Sequence, residues 1–171
     1  MMPIEPMTPP PKRTIPAKTA GGIAAIALAV AAVAPFLTAK EGVVTHPYRD
    51  PVGIPTVCVG ETQNIEARNY SRDECGLMLR KRLAIDYAPG ILNCVPGLVD
   101  RPKAFAALLD FSYNGGIRAA CKSPMAAHFR AGQWQRGCDA FRGYYVTARG
   151  VKLRGLVVRR EGERLLCMGK V

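Results

Sequence analysis

The distribution of hydrophobic and polar positions divides the chain into three parts. Residues 1–19 are rich in proline and include basic residues but few apolar ones, which predicts a flexible basic tail. Residues 20–39 carry no charge and are about as long as a bilayer-spanning helix, so a membrane segment is predicted over residues 20–40. Over residues 41–171, apolar positions recur between turn residues, which predicts a folded domain.

Glycine and proline residues interrupt the first part of that domain. Between Glu41 and Thr56 they stand at Gly42, Pro47, Pro51, Gly53 and Pro55. Such residues end helices and favour short strands and turns. We therefore expect a helix to end near Glu41 and a hairpin to follow it, with Asp50 on the hairpin.

The rest of the domain carries helix signals. Residues 71–74 (SRDE) form a capping box, which opens a helix with Leu77, Leu79 and Leu83 predicted to face the core. The helix that begins at Pro102 has the apolar spacing of a buried central helix. Helices are thus predicted from Pro102 to the Asn-Gly-Gly sequence at residues 114–116, from Ser123–Pro124 to Gly132, from about Gln133 to Val146, and from Leu156 to Met168.

The chain is strongly basic, with a formal net charge of +11. This balance favours an anionic polymer or a membrane surface as partner. Nucleic acid is not expected as a partner, because the basic residues are spread along the chain and few aromatic residues accompany them.

All six cysteines lie after residue 57, and none belongs to a CxxC pair. Zinc is therefore disfavoured, and disulfides formed in an oxidising compartment are predicted, with buried thiols as the alternative and no ranking of the possible pairings. Cys58, close to Thr56, is predicted to be a disulfide partner, with a regulatory thiol as the alternative. His46 and His128 are isolated and accompany no nucleophile motif, so they are expected to be polar surface residues.

Glu41 and Asp50 form a candidate pair of catalytic carboxyl groups. Glycoside hydrolysis needs one carboxyl group that stays protonated and a second that stays ionised, presented from different elements. Glu41, beside an apolar helix, suits the acid, and Asp50, on a polar turn next to Arg49, suits the base. We predict an α+β architecture in which a small hairpin lobe carries Asp50 and Thr56, a larger helical lobe follows, and a cleft separates the lobes.

Three stretches of the domain have the residue order of a known family. The first contains Glu41, Asp50, Thr56 and the following Val-Cys-Val-Gly-Glu-Thr, and the others are residues 111–116 (FSYNGG) and 155–164 (GLVVRREGER). In this order and spacing they resemble the phage-type lysozymes, glycoside hydrolase family 24. The resemblance covers nearly all of the predicted domain.

The resemblance implies a lysozyme-like fold and an inverting muramidase. Such an enzyme hydrolyses the β-1,4 bond between N-acetylmuramic acid and N-acetylglucosamine in bacterial peptidoglycan. Glu41 would be the general acid, Asp50 would place or activate the water, and Thr56 would help to hold that water. No metal or cofactor is implied, and a monomer is expected.

Three further positions carry weaker expectations. The family often has histidine where Glu61 stands, and we expect this difference to affect local stability or the pKa environment while leaving the mechanism in place. Arg159 and Arg160 are expected either to contact the anionic wall polymer or to lie on a solvated helix face.

Three other functions are compatible with parts of the sequence. A non-catalytic, membrane-anchored peptidoglycan-binding protein would use the positive charge and the disulfides. A lytic transglycosylase would need the glutamate but not Asp50. A membrane-disrupting protein of the holin type is disfavoured, because a large cysteine-bearing domain follows the single apolar segment.

The basic tail and the apolar segment together predict a membrane topology. The tail keeps the N-terminus in the cytoplasm and directs the domain to the periplasm, and the alanine- and glycine-rich segment should hold the inner membrane only weakly. In this the chain resembles the signal-arrest-release endolysins, which implies a domain tethered to the host inner membrane and later soluble in the periplasm. A signal peptide cleaved after residues 32–34 or 37–39, or a permanent anchor, is the alternative.

Lys40 alone separates the apolar segment from Glu41. The helix that positions Glu41 must therefore come from the segment itself, so we expect the inserted form to be inactive. After release, part of residues 20–40 would refold against the domain. Control by a thiol inside the anchor is not expected, since residues 20–40 contain no cysteine.

Overall fold

Residues 19–50, 52–148 and 150–171 are described in the computed structural model of the chain. The predicted basic tail, apart from Thr19, lies outside these residues. In chain order the elements are α1 (Ala20–Glu41), β1 (Val44–Arg49), β2 (Pro55–Cys58), α2 (Arg72–Arg82), a π-helical turn (Leu83–Tyr87), α3 (Ala88–Cys94), a 3-10 helix (Pro96–Asp100), α4 (Pro102–Gly115), α5 (Ile117–Lys122), α6 (Pro124–Arg130), α7 (Trp134–Asp139), β3 (Thr147–Ala148), β4 (Val151–Lys152) and α8 (Arg154–Met168).

Helix α1 contains the whole predicted membrane segment. Its N-cap is Thr19, whose Oγ1 accepts a hydrogen bond from the Gly22 amide at 3.2 Å. The helix packs mainly on α4 and leaves Ile23 and Leu28 exposed on its other side. Its buried face consists of Gly22, Ala25, Ile26, Ala29, Val30, Val33, Ala34 and Leu37. Among the described residues, α1 is also the helix long and apolar enough to cross a membrane, with a mean hydropathy of 2.2.

The predicted hairpin consists of the antiparallel strands β1 and β2. Tyr48 lies opposite Thr56, and an irregularity in the register falls between Val44 and Tyr48. Such irregularities bend a strand and increase its twist. Behind the hairpin, Val57, Cys58, Tyr70 and Cys75 form a small apolar cluster separate from the main core.

The helical lobe is built around α4. Every residue from Ala104 to Ser112 is buried, and α1 and α8 both pack on this helix. Because apolar residues occupy nearly all of this stretch, the helix has no face that would suit solvent. The predicted buried central helix and the α+β arrangement of a hairpin lobe and a helical lobe are confirmed.

The capping box of α2 forms as predicted. The Glu74 amide donates to Ser71 Oγ at 3.1 Å, and the Ser71 amide donates to Glu74 Oε2 at 2.7 Å. Leu79 and Leu83 are buried, but the prediction for Leu77 is wrong, since that side chain is 64% exposed. Two residues along a helix turn the side chain by about 200°, so Leu77 and Leu79 cannot share a face.

The long helix predicted over residues 133–146 is wrong. Helix α7 ends at Asp139, and the chain then turns through Gly143 and Tyr145, which have φ of +79° and +57°. Neither conformation continues a right-handed helix. A second short hairpin, β3 and β4, follows. This hairpin and the helices α3 and α5 were not predicted from the sequence.

All six cysteines form disulfides, as predicted. The pairs are Cys58–Cys75, Cys94–Cys121 and Cys138–Cys167. The alternative of a regulatory thiol at Cys58 is therefore wrong in this structure. Cys58–Cys75 joins the end of β2 to α2, and Cys138–Cys167 joins α7 to α8.

Candidate active site

Glu41 is the last residue of α1, as predicted. The helix ends there because Gly42 has a φ of +75°, which other residues rarely adopt, while its amide still donates to the Thr38 carbonyl at 3.1 Å. The Glu41 side chain is 35% exposed. A substrate can therefore reach the carboxyl group, although the backbone that carries it is fixed.

The Glu41 carboxyl group contacts Arg159 of α8. Arg159 Nη1 donates to Glu41 Oε1, and Arg159 Nη2 donates to Asp110 Oδ1 at 3.2 Å. Asp110 is fully buried on α4. Burial acts to lower the pKa of Arg159, but Asp110 and Glu41 raise it above its ordinary value. The guanidinium group therefore keeps its charge and links a buried carboxylate to the candidate acid.

Arg159 belongs to a cluster of charged side chains between α1, α4 and α8. Its members are Lys40, Asp110, Arg159, Arg160 and Glu163. Lys40 Nζ lies 3.8 Å from Asp110 Oδ2, and Arg160 Nη1 donates to Glu163 Oε2 at 2.8 Å. Burial and the neighbouring Asp110 carboxyl group raise the pKa of Glu163 well above 4.5.

The expectation of a solvated helix face is wrong for both Arg159 and Arg160. The Arg159 side chain is 11% exposed and ion-paired, and Arg160 is fully buried. Arg160 Nη2 donates to Asn114 Oδ1 at 2.5 Å, and its guanidinium carbon lies 4.5 Å from the centre of the Phe111 ring. The sequence does not predict these ion pairs, because charged residues on a helix are usually solvated. Asp110, a lone acid within an apolar run, was the available signal.

Asp50 lies in the tight turn that follows β1. Its Oδ1 accepts hydrogen bonds from the amides of Val52 at 3.0 Å and Ile54 at 2.8 Å, and its own amide donates to the Ile54 carbonyl at 3.0 Å. Arg49 does not pair with Asp50 in this turn but donates through Nη1 to the Gly53 carbonyl at 2.7 Å. The Asp50 carboxylate is therefore held in one orientation by backbone amides.

Thr56 lies on β2 and is 4% exposed. Its Oγ1 donates to the Ile54 carbonyl at 3.0 Å. The hydroxyl oxygen keeps its lone pairs for accepting a further hydrogen bond. Asp50 and Thr56 are thus fixed together at the turn end of the hairpin, since both contact Ile54.

The hairpin is attached to the helix that carries Glu41 by several contacts. Val43, two residues after Glu41, packs against both apolar clusters. The Tyr70 amide donates to the Thr45 carbonyl at 2.7 Å, and the disulfide at Cys58 ties β2 to α2. The structure thus places Glu41 at the start of the hairpin lobe, with Asp50 and Thr56 at its turn.

The Glu61 carboxyl group is held by hydrogen bonds from neighbouring backbone amides and from α2. Its Oε1 accepts from the amides of Thr62 and Gln63, both at 2.8 Å, and from Arg82 Nη1 at 3.2 Å. Tyr113 donates to the nearby Val59 carbonyl, and burial raises the pKa of Tyr113 above its ordinary value. These contacts fit the expectation that Glu61 affects local stability.

No group of three or more histidine, cysteine, aspartate or glutamate residues that could hold a metal ion occurs within the described ranges. His46 is exposed on β1. His128 Nδ1 lies 2.7 Å from Gln133 Oε1.

A cavity of about 510 Å³ lies at the other end of α4 and α8 from Asp110 and Arg159. Lys103, Trp134 and Met168 are among its lining residues. Seven residues of helix separate Lys103 from Asp110, or about 10 Å. This cavity is therefore separate from the candidate active site.

Comparison with known families and proteins gives a consistent result. The family described as phage lysozyme matches residues 38–163, which include Glu41, Asp50 and Thr56. The chain is 36% identical to the SAR-endolysin of Escherichia phage Mu over 124 residues, which are 72% of this chain and 71% of that protein. It is 33% identical to the SAR-endolysin of Bacteriophage PS119 over 165 residues, which are 95% of this chain and 96% of that protein.

Solved structures give the same fold. The active form of the P1 phage endolysin Lyz has a TM-score of 0.61 and 23% identity, covering 87% of this chain and 95% of that chain. A P22 lysozyme mutant has a TM-score of 0.64 and 19% identity, covering 82% of this chain and 94% of that chain. At these identities the likeness concerns the fold, and it confirms the predicted lysozyme-like architecture.

Proposed function

The chain belongs to the phage lysozyme family, and on that premise we propose that Glu41, Asp50 and Thr56 are its catalytic residues. The protein is an endolysin, a glycoside hydrolase that degrades peptidoglycan during host lysis. The bond cleaved joins N-acetylmuramic acid to N-acetylglucosamine. The observation that carries the residue assignment is the exposed Glu41 carboxyl group at the end of α1, held by Arg159.

In the proposed mechanism, Glu41 donates its proton to the glycosidic oxygen as the bond from that oxygen to the anomeric carbon breaks. Asp50 accepts a proton from a water molecule, whose oxygen forms the new bond on the opposite face of the sugar. Thr56 accepts a hydrogen bond from the same water. The product is a reducing sugar with inverted configuration, and Arg159 stabilises the carboxylate left on Glu41.

The local geometry supports this division of roles. The two backbone amides that donate to Asp50 Oδ1 fix the orientation of its carboxyl group at the turn. Glu41 lies at the end of an apolar helix. The register irregularity between Val44 and Tyr48 lies in the strand that joins Glu41 to Asp50, and such irregularities bend a strand.

The test is clearing of purified peptidoglycan by a Glu41→Gln variant. Glutamine has nearly the same shape as glutamic acid, but its amide is too weak an acid to protonate the glycosidic oxygen, so clearing should be lost. Glu66→Gln is the matched control, since Glu66 is exposed and pairs with Arg68 alone among the described residues. Clearing by Glu41→Gln at the wild-type rate would show that Glu41 is not the acid and would favour simple wall binding.

The products separate hydrolysis from transglycosylation. Mass spectrometry of the released fragments should find reducing sugar ends, because water is the acceptor in the proposed mechanism. Anhydro ends would identify a lytic transglycosylase and would remove the need for Asp50.

We also propose that α1 has two environments, the host inner membrane before release and the surface of α4 afterwards. The helix is apolar enough to span a bilayer, yet its buried face packs on the domain. In the membrane, the residues before Glu41 could not pack on α4, and Glu41 could not reach Arg159. The tethered enzyme would therefore be inactive. The relatives named SAR-endolysins, which match nearly the whole chain, support this control.

The proposed location follows from the same arrangement. The N-terminus would be cytoplasmic and the catalytic domain periplasmic, where disulfides form and persist. After release the enzyme would be soluble in the periplasm, where it reaches its substrate, peptidoglycan. The three disulfides of the folded domain are compatible with that compartment.

Leucine substitutions on the exposed face of α1 test the membrane control. Ala24, Ala27 and Ala31 are exposed when α1 packs on the domain, so leucine there should strengthen membrane insertion without disturbing packing. Cells expressing the triple variant should lyse late or not at all. The same variant extracted from membranes and refolded should clear peptidoglycan at the wild-type rate. Normal lysis by a variant that remains in the membrane fraction would contradict the proposal.

A further inference from the structure

The apolar contacts of α1 define its register only weakly. Along the buried face, Ala25, Ala29, Val33 and Leu37 repeat every four residues, and all four side chains are aliphatic. A shift of one helical turn would again place an aliphatic side chain at most of these positions. Such a shift would move Glu41 by about 5 Å along the helix axis, which is far enough to separate it from Arg159.

Lys40 makes contacts that exist in one register alone. Its Nζ lies 3.8 Å from Asp110 Oδ2 and donates to the Arg159 carbonyl at 3.3 Å. The same Nζ lies 3.6 Å from the centre of the Phe36 ring, one turn earlier on α1. The last turn of α1 therefore inserts a cation between α4 and α8.

Gly162 of α8 provides the space for this insertion. A Cβ atom at that position would lie 2.8 Å from Phe36 Cζ and 3.3 Å from Lys40 Nζ. A side chain there would force Phe36 to shift and would crowd Lys40. The surface of α8 thus has a notch that fits the last turn of α1.

The charged groups around Lys40 favour this placement of its side chain over any other. Asp110 and Glu163 are fully buried, and among the described residues Asp110 Oδ2 and Glu163 Oε1 have no hydrogen-bond partner. The Lys40 side chain is only 22% exposed, so its charge needs the compensating carboxylate of Asp110. A buried ion pair of this kind contributes little net stability but strongly disfavours arrangements that leave either charge unpaired.

We propose that Lys40 is a positioning residue, whose ion pair with Asp110 in the notch at Gly162 selects the register of α1 that places Glu41 on Arg159. This inference rests on the proposed role of Glu41. Lys40, the residue before the proposed acid, would thus select a register that the apolar face of α1 cannot select.

The test uses the full chain in its released, soluble form and a Lys40→Met variant. Methionine keeps most of the apolar length of lysine but cannot pair with Asp110. We expect kcat on purified peptidoglycan to fall at least about 10-fold with KM nearly unchanged, because Glu41 is misplaced while the substrate-binding surface is intact. Lys122→Met, at an exposed lysine of α5, is the matched control.

Hydrogen exchange distinguishes positioning from simple loss of packing. In Lys40→Met, the amides of residues 25–37 should stay protected, because α1 remains docked in a mixture of registers. Gly162→Ala, which fills the notch without removing any charge, should give the same fall in kcat. Lys40→Arg, which restores the cation, should recover part of the lost activity.

Two results would overturn the inference. The first is a wild-type kcat for Lys40→Met, and the second is a loss of protection throughout α1 that parallels the loss of kcat. Either result leaves the proposed function intact, because that proposal depends on Glu41→Gln. An active Glu41→Gln variant would instead refute the proposed role of Glu41.

Discussion

Glu41 and Arg159 stand 118 residues apart in the sequence and form an ion pair in the folded protein. Arg159 also binds Asp110, so the pair joins the last residue of α1 to both α4 and α8. The position of the proposed acid therefore depends on three helices from distant parts of the chain. It also depends on α1 being packed on the domain, which is the basis of the proposed link between catalysis and release from the membrane.

The first prediction concerns Arg159→Lys. Lysine keeps the charge but lacks the planar group that reaches Glu41 and Asp110 together. We expect kcat to fall by up to about 10²-fold, as a small misplacement of the acid would cause, measured as initial rates on purified peptidoglycan. Arg142→Lys, at an exposed arginine that pairs with Glu161, should leave the rate unchanged. Equal rates for both variants would show that Arg159 does not position Glu41.

The second prediction separates the charge of Asp50 from its structural role. In Asp50→Asn, the side-chain oxygen can still accept the amides of Val52 and Ile54, so the thermal unfolding temperature should stay close to that of wild type. Activity should fall by about 10² to 10⁴-fold, because the base is lost. Asp50→Ala should lower both activity and unfolding temperature. If Asp50→Asn retains full activity, Asp50 does not activate the water.

The third prediction concerns the end of α1. A Cβ atom at Gly42 would meet no atom within 4 Å, but the φ of +75° would be strained. Gly42→Ala should therefore lower the free energy of unfolding by about 1–2 kcal/mol and also lower kcat, because relief of the strain moves Glu41. Gly143 has a φ of +79° and similarly open surroundings. Gly143→Ala should therefore lower the free energy of unfolding by a similar amount without affecting kcat. Equal kcat values in the two variants would contradict this.

The fourth prediction is a pH dependence of stability. Burial and the Asp110 carboxyl group raise the pKa of Glu163 well above 4.5, so the folded state holds a proton that the unfolded state releases. The resulting stabilisation is complete below pH 4.5 and decreases as the pH rises through the raised pKa. Two positively charged groups face the Glu163 carboxyl group, Lys40 of α1 and Arg160, which lies on α8 like Glu163. Their charges oppose the rise in the pKa of Glu163.

Urea unfolding at a series of pH values measures this effect, with Glu163→Gln as the reference. Glutamine cannot ionise, so the decrease above pH 4.5 should be absent from the variant. The difference in free energy of unfolding between wild type and Glu163→Gln should change most as the pH rises from 4.5 through the raised pKa of Glu163. Parallel curves for wild type and variant would show that Glu163 ionises normally in the folded protein.

Local signals in the sequence determined a substantial part of the fold of this protein. The end of α1 at Glu41, the hairpin with Asp50 and the capping box of α2 each depend on residues within a few positions of one another. The buried helix α4 follows from an apolar run that is long enough to exclude solvent from every face. Because the propensities of glycine, proline and capping residues act over one turn, neighbouring residues suffice to predict these features.

Tertiary structure alone decided the features that join distant segments. The cysteine pairs, the burial of Arg160 and the contacts of Arg159 with Glu41 and Asp110 depend on which helix faces come together. Isolated charged residues are expected in solvent, and only a partner brought near by packing makes their burial tolerable. The sequence therefore predicted Glu41 as the candidate acid, while the packing of α1, α4 and α8 determined what holds it in place.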